Sequence, residues 1–181
     1  MRGGTSKGIF LMKKDLPEDP AERDRIILSI FGSPDIRQID GLGGADLLTS
    51  KLALIAPPTR DDADVDYTFA QVGLDQPTVN MKGNCGNIAA AVGPFAINNG
   101  LVEVREPVTT VRIHLTNSHS LLVAEVPVTA GRAAVEGECR IAGVPGSGAR
   151  ITLDWKDGQG AFTGKLLPTG HVKDFITIHG K

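Results

Sequence analysis

A chain of 181 residues is long enough to bury one core of ordinary size. A formal charge of −2 offers no basic field for nucleic acid or an anionic membrane, and 4% aromatic residues supply no stacking platform for single strands. No apolar run reaches 18 residues, and two cysteines, Cys85 and Cys139, suit a reduced cytoplasmic protein better than a disulfide scaffold.

The chain opens on a glycine-rich stretch, MRGGTSKG, followed by a strand signal at GIFLM (8–12). That short apolar patch before lysines lacks the apolar core of a signal peptide. EDPAERDRIILSIFGSPD predicts a helix, with Asp19 as N-cap, Pro20 at the first helical position and Gly32 as the stop. DGLGGADLLTSK (40–51) is a second glycine-rich segment. Neither segment has the spacing of a phosphate loop, and neither sets G-x-G-x-x-G between a strand and a helix. What they share is a hydroxyl beside an ammonium, in Thr5-Ser6-Lys7 and Thr49-Ser50-Lys51. Both read equally as plain turns or as clusters of donors for the carboxylates of a small polyanion.

Further strands are predicted at KLALIAP (51–57) and VDYTFAQVGL (65–74). GNIAAAVGPFAINNG predicts one helix, apolar on nearly every side and therefore buried, stopped by Gly100. VTTVRIHLTN (108–117) and SLLVAEVPV (120–128) form a hairpin about Asn117–Ser118–His119, and ARITLDW (149–155) is a last strand. Antiparallel strands around one buried helix make an α+β domain, with no heptads or solenoid repeats. His114, His119, His171 and His179 are scattered, lack zinc-ligand spacing and read as surface or hairpin residues.

Cysteine is most often a small buried hydrophobe, and Cys139 in EGECRIAGV fits that description. Cys85 is different, because NCGN sets it at the start of the apolar helix. Unpaired N–H groups and the dipole of a helix N-terminus stabilise a thiolate, and small neighbours let a substrate approach. No histidine stands near it in sequence to suggest a protease. Lys51 begins an apolar run, where an amine is partly desolvated; a lysine in a strand is otherwise a solvated edge residue.

In chain order, MRGGTSKGIF, QIDGLGG, TSKLALI, FAQVGL, GNCGN, VGPFAI, GVPGSGARITLDW and GKLLPTG resemble the PrpF family of 2-methylaconitate cis-trans isomerases and 4-oxalomesaconate tautomerases. The resemblance spans nearly the whole chain. NCGN also resembles a catalytic-cysteine motif of diaminopimelate epimerases, whose fold the PrpF family shares. The implied fold is a diaminopimelate epimerase-like half, an antiparallel β-barrel-like sheet wrapped around a central buried helix, with the active site in a cleft between two such halves. The resemblance makes residues 1–181 the N-terminal domain of a two-domain protein, with 171–181 starting the linker to a second half.

It further implies catalytic roles for Lys51 and Cys85, and substrate binding by Gly4, Thr5, Ser6, Lys7, Gly86 and Asn87. The implied chemistry is proton abstraction from an unsaturated di- or tricarboxylate and reprotonation, with no metal and no cofactor. The partner is a small polycarboxylate, with neither nucleic acid nor membrane, and self-association into a homo-oligomer is compatible with it. Lys51 and Cys85 are expected to converge on one pocket with the Thr5–Lys7 loop, with the Cys85 sulfur facing a polar cleft left wetter than an active site by the missing wall. Two other readings stand beside this one: a non-catalytic carboxylate-binding or accessory module, and an amino-acid epimerase of the same fold, which would need a second cysteine that Cys139 is poorly placed to supply.

Overall fold

The computed structural model describes residues 1–155 and 163–178. Among these, nine strands join one sheet: Arg2–Gly3 (β1), Ser6–Met12 (β2), Lys51–Ala56 (β3), Val65–Val72 (β4), Val79–Asn80 (β5), Val108–Leu115 (β6), Ser120–Thr129 (β7), Arg132–Ala133 (β8) and Thr152–Asp154 (β9). The order is β1-β2-β3-β4-β6-β7-β8, with β5 added to β4 and β9 to β7. The α-helices are Pro20–Phe31 (α1), Gly86–Ala89 (α2) and Val92–Asn98 (α3), with one 3-10 turn at Lys13–Asp15.

The sheet is mixed, which corrects the antiparallel expectation: β2 pairs β3 in parallel, as β4 does β6. Each parallel pair is joined by a long connection that carries helices across one face of the sheet, α1 in the first case and α2–α3 in the second. Such crossovers return the chain to the same end of the sheet, which short hairpin turns do not. The β6–β7 pair is the predicted hairpin, in register from Val108–Pro127 to Leu115–Ser120.

Strand alternation sorts the core into two faces. Leu52 and Leu54 of β3, with Ala70 and Val72 of β4, pack against Ile27 and Phe31 of α1. Ala53 and Ile55, with Val65, Tyr67 and Phe69, face Ile88, Ala89, Val92, Ala96 and Ile97 of α2 and α3. A strand covered on both sides reads as an unbroken apolar run, hence KLALIA.

Helix α1 has its predicted caps. Asp19 Oδ1 accepts a hydrogen bond from Glu22 N at 2.8 Å, and Gly32 takes the left-handed conformation at φ 72°. The second helix departs from expectation, being broken at Ala90–Ala91 into two short helices. Pro94 explains the break. In a continuous helix its ring would clash with the carbonyl of Ala90, whereas in the first turn of a new helix its missing N–H costs nothing.

His114 is also a correction. It is buried, with Nδ1 2.9 Å from Asp66 Oδ1. Thr59 N and Oγ1 donate to the same carboxylate at 3.0 and 2.8 Å. Burial pushes the Asp66 carboxyl up, but the hydrogen bonds from Thr59 and His114 outweigh it and hold it below the usual range. His119 and His171 are exposed, and His179 lies outside the described residues. Cys139 is half-buried in a lone antiparallel bridge to Gly148, not in a strand interior. Residues 171–178 are exposed and carry no helix or strand, and 179–181 of the expected linker lie outside the described residues. No helix is long and apolar enough to cross a membrane among the described residues.

Candidate active site

Lys51 is the first residue of β3 and Cys85 the residue that caps α2, 34 positions later. The fold brings them into contact: Lys51 Nζ donates to Cys85 Sγ at 3.4 Å. Their convergence follows from topology. Lys51 has the parity of Ala53 and Ile55, so it projects from the face that α2 covers. The connection from β4 delivers Cys85 to the same face, where its backbone is extended (φ −128°, ψ 106°) and its carbonyl accepts from Ala89 N at 3.0 Å. Because α2 is a single turn, the partner that matters to the thiol is the ammonium rather than a long helix dipole.

The surroundings are drier than expected. Lys51 and Cys85 are each only 9% exposed, and Ser6 is 1% exposed. Phe69 is stacked beside the ammonium, its ring centroid 5.5 Å from Lys51 Nζ. Tyr67 lies on the same strand face, wholly buried; burial, with Cys85 adding to it, drives its phenol far above the ordinary value. The thiol therefore faces an ammonium and aromatic walls instead of a wet polar cleft.

The N-terminal hairpin packs on α2. Gly4 has φ +52°, and a Cβ there would collide with the Asn87 carboxamide. Asn87 Oδ1 accepts from Thr5 N at 3.2 Å, tying the Gly4–Thr5 turn to the turn after Cys85. Ser6 faces α2 by strand alternation and its Oγ has no partner among the described residues. Gly86 and Asn87 are exposed, and a Cβ on Gly86 would touch the Trp155 ring at 3.5 Å. Lys7 is the exception. It has the opposite parity, with Ile9 and Leu11, and its Nζ lies beside Gly44, 3.2 Å from where a Cβ on that glycine would stand. The structure thus gathers Gly4, Thr5, Ser6, Lys51, Cys85, Gly86 and Asn87 but turns Lys7 toward the 40–49 loop.

Several neighbours of the pair were not singled out in sequence. Phe69, beside Lys51 Nζ, and Tyr67, which feels Cys85, come to the face of the pair through the β3–β4 register, Ala53↔Phe69 and Ile55↔Tyr67, which no single strand reveals. Trp155 reaches Gly86 across a long separation and carries no local signal. Among the described residues no three His, Cys, Asp or Glu side chains gather as a metal site would require.

The chain matches the family model described as PrpF protein over residues 1–181. It is 60% identical over 177 residues to the 3-methylitaconate isomerase of Eubacterium barkeri, across 98% of this chain and 47% of that protein. It is 51% identical over 176 residues to the 4-oxalomesaconate tautomerase of Pseudomonas putida strain KT2440, across 97% of this chain and 49% of that protein. A crystal structure of methylitaconate-delta-isomerase superimposes with a TM-score of 0.92 at 59% identity, over 98% of this chain and 46% of that one. The chain spans about half the length of the curated relatives it matches.

Proposed function

This chain belongs to the PrpF family, and on that premise we propose that it is the N-terminal half of an isomerase acting on an unsaturated di- or tricarboxylate. The observation that carries the reading is the 3.4 Å contact between Lys51 Nζ and Cys85 Sγ. Two groups that each hold or release a proton stand within reach of one small molecule. The names of the relatives, a 3-methylitaconate isomerase and a 4-oxalomesaconate tautomerase, support the substrate class.

The reaction needs a base and an acid on one carbon skeleton. Removal of a proton from the carbon next to the alkene leaves its electron pair delocalised through the double bond onto a carboxylate or keto oxygen. A proton returned to the far carbon moves the double bond. A proton returned to the first carbon, after rotation about the weakened bond, exchanges cis for trans. Lys51 and Cys85 divide these transfers between them, and either order satisfies the geometry. Gly86 and Asn87, exposed residues that follow Cys85, offer their backbone N–H groups to the developing negative charge, while Ser6 and the Gly4–Thr5 turn hold a carboxylate. The displacement of Lys7 toward Gly44 argues against its sharing that carboxylate. A second half of the same epimerase-like fold supplies the facing wall, the cleft lying between the halves.

A second reading is kept by one fact, that the chain spans about half of its relatives. A carboxylate-binding module without turnover would show the same contacts. Proton NMR in D₂O separates the two. The allylic signal of 2-methylaconitate, 3-methylitaconate or 4-oxalomesaconate is followed with this chain alone and with a chain extended to the relatives' length. The extended chain is expected to exchange the proton rapidly, the short chain slowly, and Lys51→Ala or Cys85→Ser to lose about 10²–10⁴-fold of the rate. Absence of exchange from both chains with all three acids would favour the binding module.

A further inference from the structure

The turn between β6 and β7 closes through His119 at φ 55°. Just before it, Asn117 commits its whole carboxamide to two other segments. Its Oδ1 accepts from Phe69 N at 2.9 Å, and its Nδ2 donates to Phe69 O at 2.9 Å and to Met81 O. The parallel β4–β6 ladder ends at Tyr67–Leu115, with Thr116 N donating to Tyr67 O at 3.0 Å. Beyond that point the Asn117 side chain replaces the backbone, serving both polar groups of Phe69 as a neighbouring strand would. The next residue, Ser118, accepts from Asn84 Nδ2 at 2.7 Å and lies 2.7 Å from Ser120 Oγ.

The two grips hold the two sides of the reacting pair. Phe69 supplies the ring beside Lys51 Nζ, and Met81 and Asn84 bound the short loop that ends at Cys85. Strand β5 stops at Asn80. Past it, hydrogen bonds to Met81 O and from Asn84 Nδ2 tie residues 81–84 to the Asn117–Ser118 turn, beside the packing of Met81 against the α1 cluster. An N–H···S contact is directional and weakens steeply as the angle at the hydrogen closes. Its geometry therefore depends on how these two walls are held apart.

We infer that the Asn117–Ser118 turn is a positioning device that sets the separation of Lys51 and Cys85. It acts through Phe69 and Asn84. This rests on the reading of Lys51 and Cys85 as the reacting pair, and the test tells failure of the one from failure of the other. Iodoacetamide alkylation of Cys85 is measured by mass spectrometry at neutral pH, in a Cys139→Ser background, for Lys51→Ala, Ser118→Ala, Asn117→Ala and Ser118→Thr. Circular dichroism reports the fold of each. Lys51→Ala removes the donor that contacts the Cys85 sulfur and is expected to slow alkylation on the order of fivefold. Ser118→Ala and Asn117→Ala slow it in the same direction while remaining folded, and Ser118→Thr, which keeps the hydroxyl, restores it. In the chain extended to the relatives' length the two alanine variants lower kcat and leave KM within about twofold, because substrate contacts are untouched. Wild-type alkylation in folded Ser118→Ala and Asn117→Ala, with Lys51→Ala slowed, overturns the inference and leaves the pair standing. Wild-type alkylation in Lys51→Ala overturns the pair and the inference together. Should Asn117→Ala not fold, Ser118→Ala decides alone, since it removes one oxygen and no packing.

Discussion

The two faces of the sheet differ in how fully their buried polar groups are partnered. On the α1 face they are fully partnered. Gln38, 1% exposed, donates to Ser33 Oγ at 3.0 Å and Ser50 Oγ at 2.8 Å, and its Oε1 accepts from Ala45 N at 2.9 Å. Ser50 Oγ donates in turn to Val72 O, and farther along the same face Asp66 is met by Thr59 and His114. On the α2–α3 face Thr109 and Ser120 have partners, but Ser6 Oγ, Tyr67 OH and Asn84 Oδ1 are buried with none among the described residues. All three stand on the side of the Lys51–Cys85 pair. A buried polar atom left unpaired costs roughly 1–3 kcal/mol. Each such atom calls for an explanation, a catalytic role being one. The unpaired atoms thus gather on the face that carries the Lys51–Cys85 contact.

That contrast can be broken by mutation. The largest stability effect is expected on the α1 face. Gln38→Ala leaves Ala45 N without its acceptor and Ser33 and Ser50 without their donor, and urea unfolding should show a loss of about 2–4 kcal/mol. A loss below about 0.5 kcal/mol would mean that the partnered network is not what holds the 33–50 loop.

Asp66→Asn comes next, at on the order of 1–2 kcal/mol near neutral pH, since it weakens hydrogen bonds to a charged acceptor. The sign with pH follows from the lowered folded-state pKa. The Asp66 contribution is fully present above the unfolded carboxyl value and is lost as pH falls through the lower folded one. The gap between wild type and Asp66→Asn should therefore close on acidification, and thermal melts from neutral pH downward would reveal it. A gap that stays constant would show that ionisation of Asp66 contributes nothing.

The smallest effect sharpens the comparison most. Tyr67→Phe removes a hydroxyl that has no partner, so stability should be unchanged or rise by up to about 1 kcal/mol. A loss of 2 kcal/mol in the same unfolding assay would mean that the hydroxyl is satisfied in solution and that the two faces do not differ.

Much of this was legible in sequence, and the reasons are local. The caps of α1 are written in Asp19, Pro20 and Gly32, and the hairpin in Asn117–His119, because caps and turns depend on residues a few positions apart. The contact of Lys51 with Cys85 was expected from the family resemblance and found in the geometry. What failed depends on relations between distant segments. The parallel pairings arise from where crossovers lie, and the burial of His114 from its register with Asp66. The aromatic wall of the site arises from the register of β3 with β4. Pro94 was visible in the chain and should have divided the second helix; its apolar continuity on both sides masked the break. The resemblance implies one role for Ser6 and Lys7, yet adjacent residues of a strand face opposite ways.

The central claim is that Lys51 and Cys85 act as one unit, and a double-mutant cycle addresses it most directly. Proton exchange in D₂O is measured for the chain of the relatives' length as wild type, Lys51→Ala, Cys85→Ser and the double variant. Groups that work as a pair are not additive, so the double variant should exchange no more than about threefold slower than the worse single one. Losses that multiply, or a wild-type rate in Cys85→Ser, would contradict the account.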